Sequence, residues 1–204
     1  IEACRDIVKA VEAHPKQKFM LAENCCYWAH IMSWAEMWKQ GMLGNFIYAE
    51  AEYVHDIRSL IRNPDGTLTW RASRPPIVYC THSLGPLVKI TNERPVSVIK
   101  ILRAQGFVRE PMFHYYSIYG TKGTLETSRP PEMHKTNAYL EQVPHLQNMI
   151  QMPITTDVPS APAAAALGGH GTAEYYMIKD FMDCVRNDTQ PPLDVHFAWD
   201  LTVT

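Results

Sequence analysis

The chain has 204 residues, 46% of them hydrophobic and 20% charged, with a formal net charge of −2. Such values describe an ordinary globular chain, and the scattered Lys and Arg argue against a nucleic-acid or anionic-membrane surface. No apolar run approaches the ~20 residues of a membrane-spanning helix, and the five Cys, with Cys25 and Cys26 adjacent, show no CxxC spacing, so free thiols in a reducing, cytoplasmic setting are expected.

Ile1, Ile7, Val8 and Val11 recur at helical spacing and predict a helix over residues 1–14, stopped by Pro15. Phe19-Met20-Leu21-Ala22 has the length of a short strand, closed by Glu23-Asn24. A second helix is predicted from Tyr27 to Gln40, with Ile31, Trp34, Ala35 and Trp38 on one face and Gly41 as its C-terminal stop. Residues 46–56 alternate. Phe46, Tyr48, Glu50, Glu52 and Val54 share one face, the wetter one, and Ile47, Ala49, Ala51, Tyr53 and His55 the other. Asn63-Pro64-Asp65-Gly66 is a turn, followed by Trp70-Arg71.

Pro75-Pro76 break regular structure ahead of Tyr79-Cys80-Thr81-His82-Ser83-Leu84-Gly85-Pro86. This stretch reads as a loop entering a buried helix, capped by Thr81 or Ser83, with a phenol and an imidazole at its mouth. The bland alternative is a capping Thr beside a satisfied His. Val96 to Arg103 is β-branched and predicts a strand. Tyr115 to Tyr119 predicts another, turning through Gly120-Thr121-Lys122-Gly123 into Thr124-Leu125-Glu126-Thr127.

Residues 129–170 read as irregular, with a mobile small-residue loop over 161–169. An amphipathic helix is expected over 173–186, with Met177, Phe181, Cys184 and Val185 inward. Asp194 then caps a last helix. These signals give an α+β fold: an open, predominantly antiparallel sheet with helices packed on one face. Nothing in the spacing of the nine His suggests a metal site. His30, His55, His114, His134, His145 and His196 read as structural or surface residues.

Three segments together resemble one family. AENCCYWAHIMSWAEMWKQGMLGNFIYAEAEYVHD, IYGTKGTLE and GGHGTAEYYMIKDFMDCVRNDTQPPLDVHFAWDLTV are similar to the C-terminal domain of Gfo/Idh/MocA-type oxidoreductases. The resemblance implies that an N-terminal Rossmann domain holding NAD or NADP precedes Ile1. It also implies that residues 1–204 are a single substrate-binding and dimerisation domain, with 1–22 the tail end of the nucleotide domain. The Gly-rich loop that cradles a dinucleotide is absent from these residues. Tyr79-Cys80-Thr81-His82 is similar to the Tyr-x-Thr-His of the NAD-dependent α-N-acetylgalactosaminidases. Ordinary dehydrogenases of the family carry Asp where this chain has Val78.

On that resemblance Tyr79, His82 and His170 are catalytic, Tyr53 and Arg71 bind a sugar, and Glu23 and Asn24 lie on the cofactor side. The implied chemistry removes a hydride from a sugar carbon, eliminates the leaving group and returns the hydride. Tyr79 would serve as base, its acidity raised by a nearby Arg, and His170 would close over the substrate. A homo-oligomer through the open sheet is expected. The alternative is a non-catalytic scaffold with a vestigial pocket.

Overall fold

The computed structural model describes residues 1–73, 79–95, 112–130, 135–146 and 148–203. In chain order these form α1 (Glu2–Ala13), α2 (Ala29–Lys39), β1 (Phe46–Val54), α3 (Arg58–Ile61), α4 (Thr81–Thr91), β2 (Phe113–Gly120), β3 (Gly123–Thr127), β4 (Thr136–Leu140), β5 (Ile150–Met152), α5 (Ala173–Asn187) and α6 (Val195–Thr202). The strand predicted at Val96–Arg103, Val78, Pro75-Pro76 and His134 lie outside the described residues.

The five strands form one meander in the order β1-β2-β3-β4-β5, every pair antiparallel. Register carries the sequence alternation across the sheet: Ala51 faces Tyr116, Ile118 faces Leu125, and Leu125 faces Ala138. That face packs on Ile31 and Trp34 of α2 in one buried cluster with Leu43 and Leu140. The opposite face carries Glu50, Ser117, Glu126 and Asn137 in a row across four strands. The helix-on-one-face α+β arrangement expected from the sequence is therefore the one found.

Two glycines explain the hairpin signature. A Cβ on Gly120 would lie 2.1 Å from the carbonyl oxygen of Leu43, and one on Gly123 would lie 2.8 Å from that of Tyr139. Close backbone approach, beyond turn geometry, demands glycine there.

Several expectations are corrected. Phe19–Ala22 joins no strand ladder; Leu21 N–H donates to Leu193 O at 2.7 Å, tethering the segment to the entry of α6 instead. The region read as irregular contains β4 and β5, whose short alternation was masked by flanking Pro, Gln and Met. The supposed mobile loop includes a 3₁₀ turn, Ala163–Leu167, with Ala165 buried. Val185 is 47% exposed rather than inward. Neither Thr81 nor Ser83 caps α4: Cys80 stands at the N-cap and makes no capping bond, its Sγ donating instead to Leu201 O at 3.3 Å. Asp194 does cap α6, accepting from the amides of His196 at 3.0 Å and Phe197 at 2.9 Å.

Candidate active site

α4 begins with Tyr79 and His82 at its mouth. Tyr79 Oη lies 3.1 Å from His82 Nε2. On the other side of the imidazole, Nδ1 lies 2.7 Å from Glu23 Oε1. The carboxylate sits off the N–H axis, so this is a close carboxylate–imidazole contact rather than an aligned hydrogen bond. Glu23 is 3% exposed and also accepts from the Cys25 amide at 3.1 Å. Burial pushes its carboxyl up, but His82, Thr81 and the Cys25 amide outweigh that and hold it below the ordinary value.

Glycine brings these parts together. A Cβ on Gly85 would meet Glu23 Cγ at 3.1 Å and Cys26 Sγ at 3.3 Å. The bare backbone lets α4 lie directly against the Glu23 turn. One position on, Pro86 sits inside α4 and has no N–H to give to the carbonyl four residues back. That carbonyl belongs to His82, and the buried Tyr116 hydroxyl from β2 donates to it at 2.5 Å. Sequence reading missed this tie because it joins residues 34 apart.

Aromatic rings wall the cleft. The Tyr53 ring, from β1, stands edge-on to His82 with centroids 4.9 Å apart at 85°, and lies 5.9 Å from Tyr79 and 4.7 Å from His114. Trp28 packs on His114 at 4.6 Å. His114, read from the sequence as structural, thus lines the same cluster. Its only signal was its register opposite Tyr53 in the β1–β2 pair. Arg71 places its guanidinium carbon 5.8 Å from the Tyr79 ring centre and 4.8 Å from that of Trp70.

Tyr79 departs from expectation. Burial and the Glu23 charge push its phenol up, and Arg71 pulls it down only in part, so the net direction is upward. Tyr79 therefore stands as a protonated partner of His82 rather than a ready phenolate. Burial pushes Tyr53 up further.

Tyr53, Arg71, Tyr79, His82 and Glu23 converge. His170 forms a second group: its Nδ1 meets Glu174 Oε1 at 2.5 Å, and Asn24 Nδ2 donates to the same oxygen at 3.2 Å. His170 is exposed and joins the first group only through Asn24, the neighbour of Glu23. Asn24 is buried, and its Oδ1 accepts no hydrogen bond among the described residues. Glu23, Cys25 and His82 offer O, S and N donors within 4.8 Å of one another, a grouping that no sequence spacing suggested.

No protein-family model matches the chain. Along nearly its whole length it is homologous to glycosyl hydrolase family 109 proteins. It is 25% identical to one from Solibacter usitatus, over 97% of this chain and 57% of the relative. It is 25% identical to the alpha-N-acetylgalactosaminidase of Bacteroides fragilis, over 95% of this chain and 47% of that protein. The chain thus spans about half the length of these relatives. Its fold is that of part of a levoglucosan dehydrogenase solved with NADH and levoglucosan: TM-score 0.72 at 13% identity, covering 98% of this chain and 66% of that one. Among the described residues, no helix is long and apolar enough to cross a membrane.

Proposed function

We propose that these residues are the substrate-binding half of an NAD(P)-dependent enzyme acting on a sugar or sugar glycoside, with a Rossmann domain preceding Ile1. The observation that carries the reading is the Glu23–His82–Tyr79 chain of contacts inside an aromatic cleft, on a chain homologous to family 109 glycosidases. The likeness in fold to a sugar dehydrogenase solved with NADH supports it. Free cysteines among the described residues suit a reducing cytoplasm.

The dinucleotide supplies a hydride acceptor and donor when bound. Nothing in the described residues is a Gly-rich cradle for its pyrophosphate, so its grip lies chiefly elsewhere. Asn24 fits the remaining contact: its buried Oδ1 is an acceptor that an amide N–H₂, such as that of a nicotinamide carboxamide, can satisfy.

His82 takes the proton of the reacting sugar hydroxyl at Nε2. Glu23, held beside Nδ1 by the Cys25 amide, stabilises the imidazolium that forms. Tyr79 Oη, protonated at rest, shares Nε2 with the substrate, gives its phenol proton to the departing oxygen and recovers one from the water that adds. Arg71 supplies positive charge beside the phenol as that proton moves. Tyr53, backed by His114 and through it by Trp28, keeps water from the His82 imidazole, and His170, oriented by Glu174, covers the open side. Two copies associate through the polar sheet face.

The test is turnover by the full-length protein with NAD⁺ and either aryl α-N-acetylgalactosaminide or levoglucosan as substrate. Release of the aryl group, or NADH formation, that vanishes in His82→Ala supports the reading. A folded, NAD-binding protein that acts on neither, nor on a wider sugar panel, returns it to the scaffold alternative.

A further inference from the structure

Residues 57–73 leave the sheet after β1 and return toward Tyr79. They form a self-supporting flap. Arg62 and Leu68 make an antiparallel bridge. Thr69 N–H donates to Ile61 O at 2.8 Å and Thr69 Oγ1 to Leu60 O at 2.6 Å. Asn63 Nδ2 donates to Thr67 Oγ1 at 2.9 Å, and Arg62 Nη1 to Gly66 O at 2.9 Å. A loop so internally bonded holds a shape without burying its own apolar residues.

It in fact presents them to solvent: Leu68 is 60% and Trp70 65% exposed. An indole at that exposure makes little contribution to the core, and an ordered apolar projection beside a cleft marks a contact surface. Its placement is specific. Arg71 lies between the Trp70 and Tyr79 rings, 4.8 Å from one centre and 5.8 Å from the other. The indole is therefore one guanidinium away from the phenol that touches His82.

We infer that Trp70 and Arg71 form a second sugar subsite, binding the ring attached to the one that Tyr79 and His82 handle. This rests on the sugar reading above and extends the substrate class to a glycan of at least two units. A pyranose offers an apolar C–H face and a rim of hydroxyl acceptors. The flat indole meets the face and the guanidinium N–H groups meet the rim. Arg71, bridging the two positions, recognises the linkage between the rings. The flap carries the specificity for what leaves, and the α4 mouth carries the chemistry.

The experiment is calorimetry on the full-length protein saturated with NADH, which has no hydride acceptor and so cannot begin turnover. The probes are methyl α-N-acetylgalactosaminide and the disaccharide α-N-acetylgalactosaminyl-galactose. The disaccharide is expected to bind roughly 5- to 30-fold tighter, the ratio that one or two kcal/mol of stacking gives. Trp70→Ala should erase that advantage and leave the methyl glycoside unaffected, while Trp70→Phe keeps most of it. Equal binding of the two probes by the wild type, or an advantage that survives Trp70→Ala, overturns the subsite alone. Loss of affinity for both probes and NADH in Trp70→Ala assigns the flap to domain packing and also overturns it. If neither sugar binds the wild type, the sugar reading fails and the subsite falls with it.

Discussion

The hydroxyl of Tyr116 donates to the backbone carbonyl of His82 at 2.5 Å, in the place a backbone amide at position 86 would occupy in an unbroken helix. Proline at 86 leaves that carbonyl free, and a strand side chain uses it to fix the mouth of α4 to the sheet. Tyr116→Phe should orphan the buried carbonyl and cost about 1–3 kcal/mol. Pro86→Ala supplies a helical N–H for the same carbonyl. The double variant should therefore be less destabilised than the two single losses together, by about 1 kcal/mol of coupling. Urea melts of the four proteins measure this. Strict additivity would show that the two residues do not share the carbonyl.

Tyr79→Phe keeps the ring against Tyr53 and Arg71 but removes the oxygen that meets His82. His82→Ala removes the imidazole itself. On the proposed chemistry each should lower turnover by the full-length protein by roughly two to four decades, the usual size for general acid–base catalysis. Thermal stability should barely change for Tyr79→Phe, since both partners of its hydrogen bond lie in a part-buried cleft. Full activity in His82→Ala would remove the proposed chemistry.

Glu23 links the site to acid stability. Its folded-state carboxyl lies below the ordinary value of 4.5: burial pushes it up, and His82 together with Thr81 and the Cys25 amide more than reverses this. A lowered carboxyl pKa contributes stability that is fully present above the unfolded value and lost as pH falls through the folded one. Melting temperature should thus decline below about pH 4.3, the unfolded reference for Glu. In Glu23→Gln this part of the acid limb should flatten. The same substitution should slow turnover roughly tenfold or more at neutral pH, because each 1.4 kcal/mol of lost imidazolium stabilisation is a decade in rate. An unchanged acid limb in Glu23→Gln would mean the carboxyl contributes nothing there.

The sheet face and the α4 mouth were readable from local pattern. Alternation over residues 48–54 separates Glu50 and Glu52 from Ala49 and Ala51, and period assigns those faces; the bulge between Phe46 and Tyr48 turns Phe46 away from that face, onto Trp38. Tyr79 and His82 sit three apart across a helix start, so their meeting follows from helical geometry. The contacts that complete the site are non-local. Glu23 reaches His82 only because Gly85 lets α4 come close. His114 reaches Tyr53 only through strand register, which period does not supply. The two strands overlooked, β4 and β5, are short, and β4 is held by a distant partner: Trp34 Nε1 donates to Thr136 Oγ1 at 3.3 Å, 102 residues away. Such a bond leaves no trace in either local sequence.

The polar sheet face gives the last prediction. Arg129 lies 2.5 Å from Glu52 Oε1 and 3.8 Å from Glu50 Oε1, with its guanidinium carbon 3.7 Å above the Tyr115 ring. Tyr48 donates to Glu50 at 3.0 Å and lies 5.8 Å from the Tyr119 ring. The face thus joins aromatic rings to one arginine held by Glu50 and Glu52, with Glu126 accepting from Tyr115 and Asn137, so each of these carboxylates has a partner before a second copy covers it. Tyr48, 51% exposed, leaves apolar area at one end of β1 that a monomer keeps in water. Two copies are therefore expected to meet face to face, in an isologous contact. Arg129→Glu would set four carboxylates, at positions 50, 52, 126 and 129, on each face and eight across the contact, and should shift the full-length protein toward monomer. Tyr48→Ala should weaken the dimer less, removing area without adding repulsion. Light scattering over a dilution series reads both. A wild-type protein that stays monomeric at every workable concentration shows that the face is solvated rather than paired.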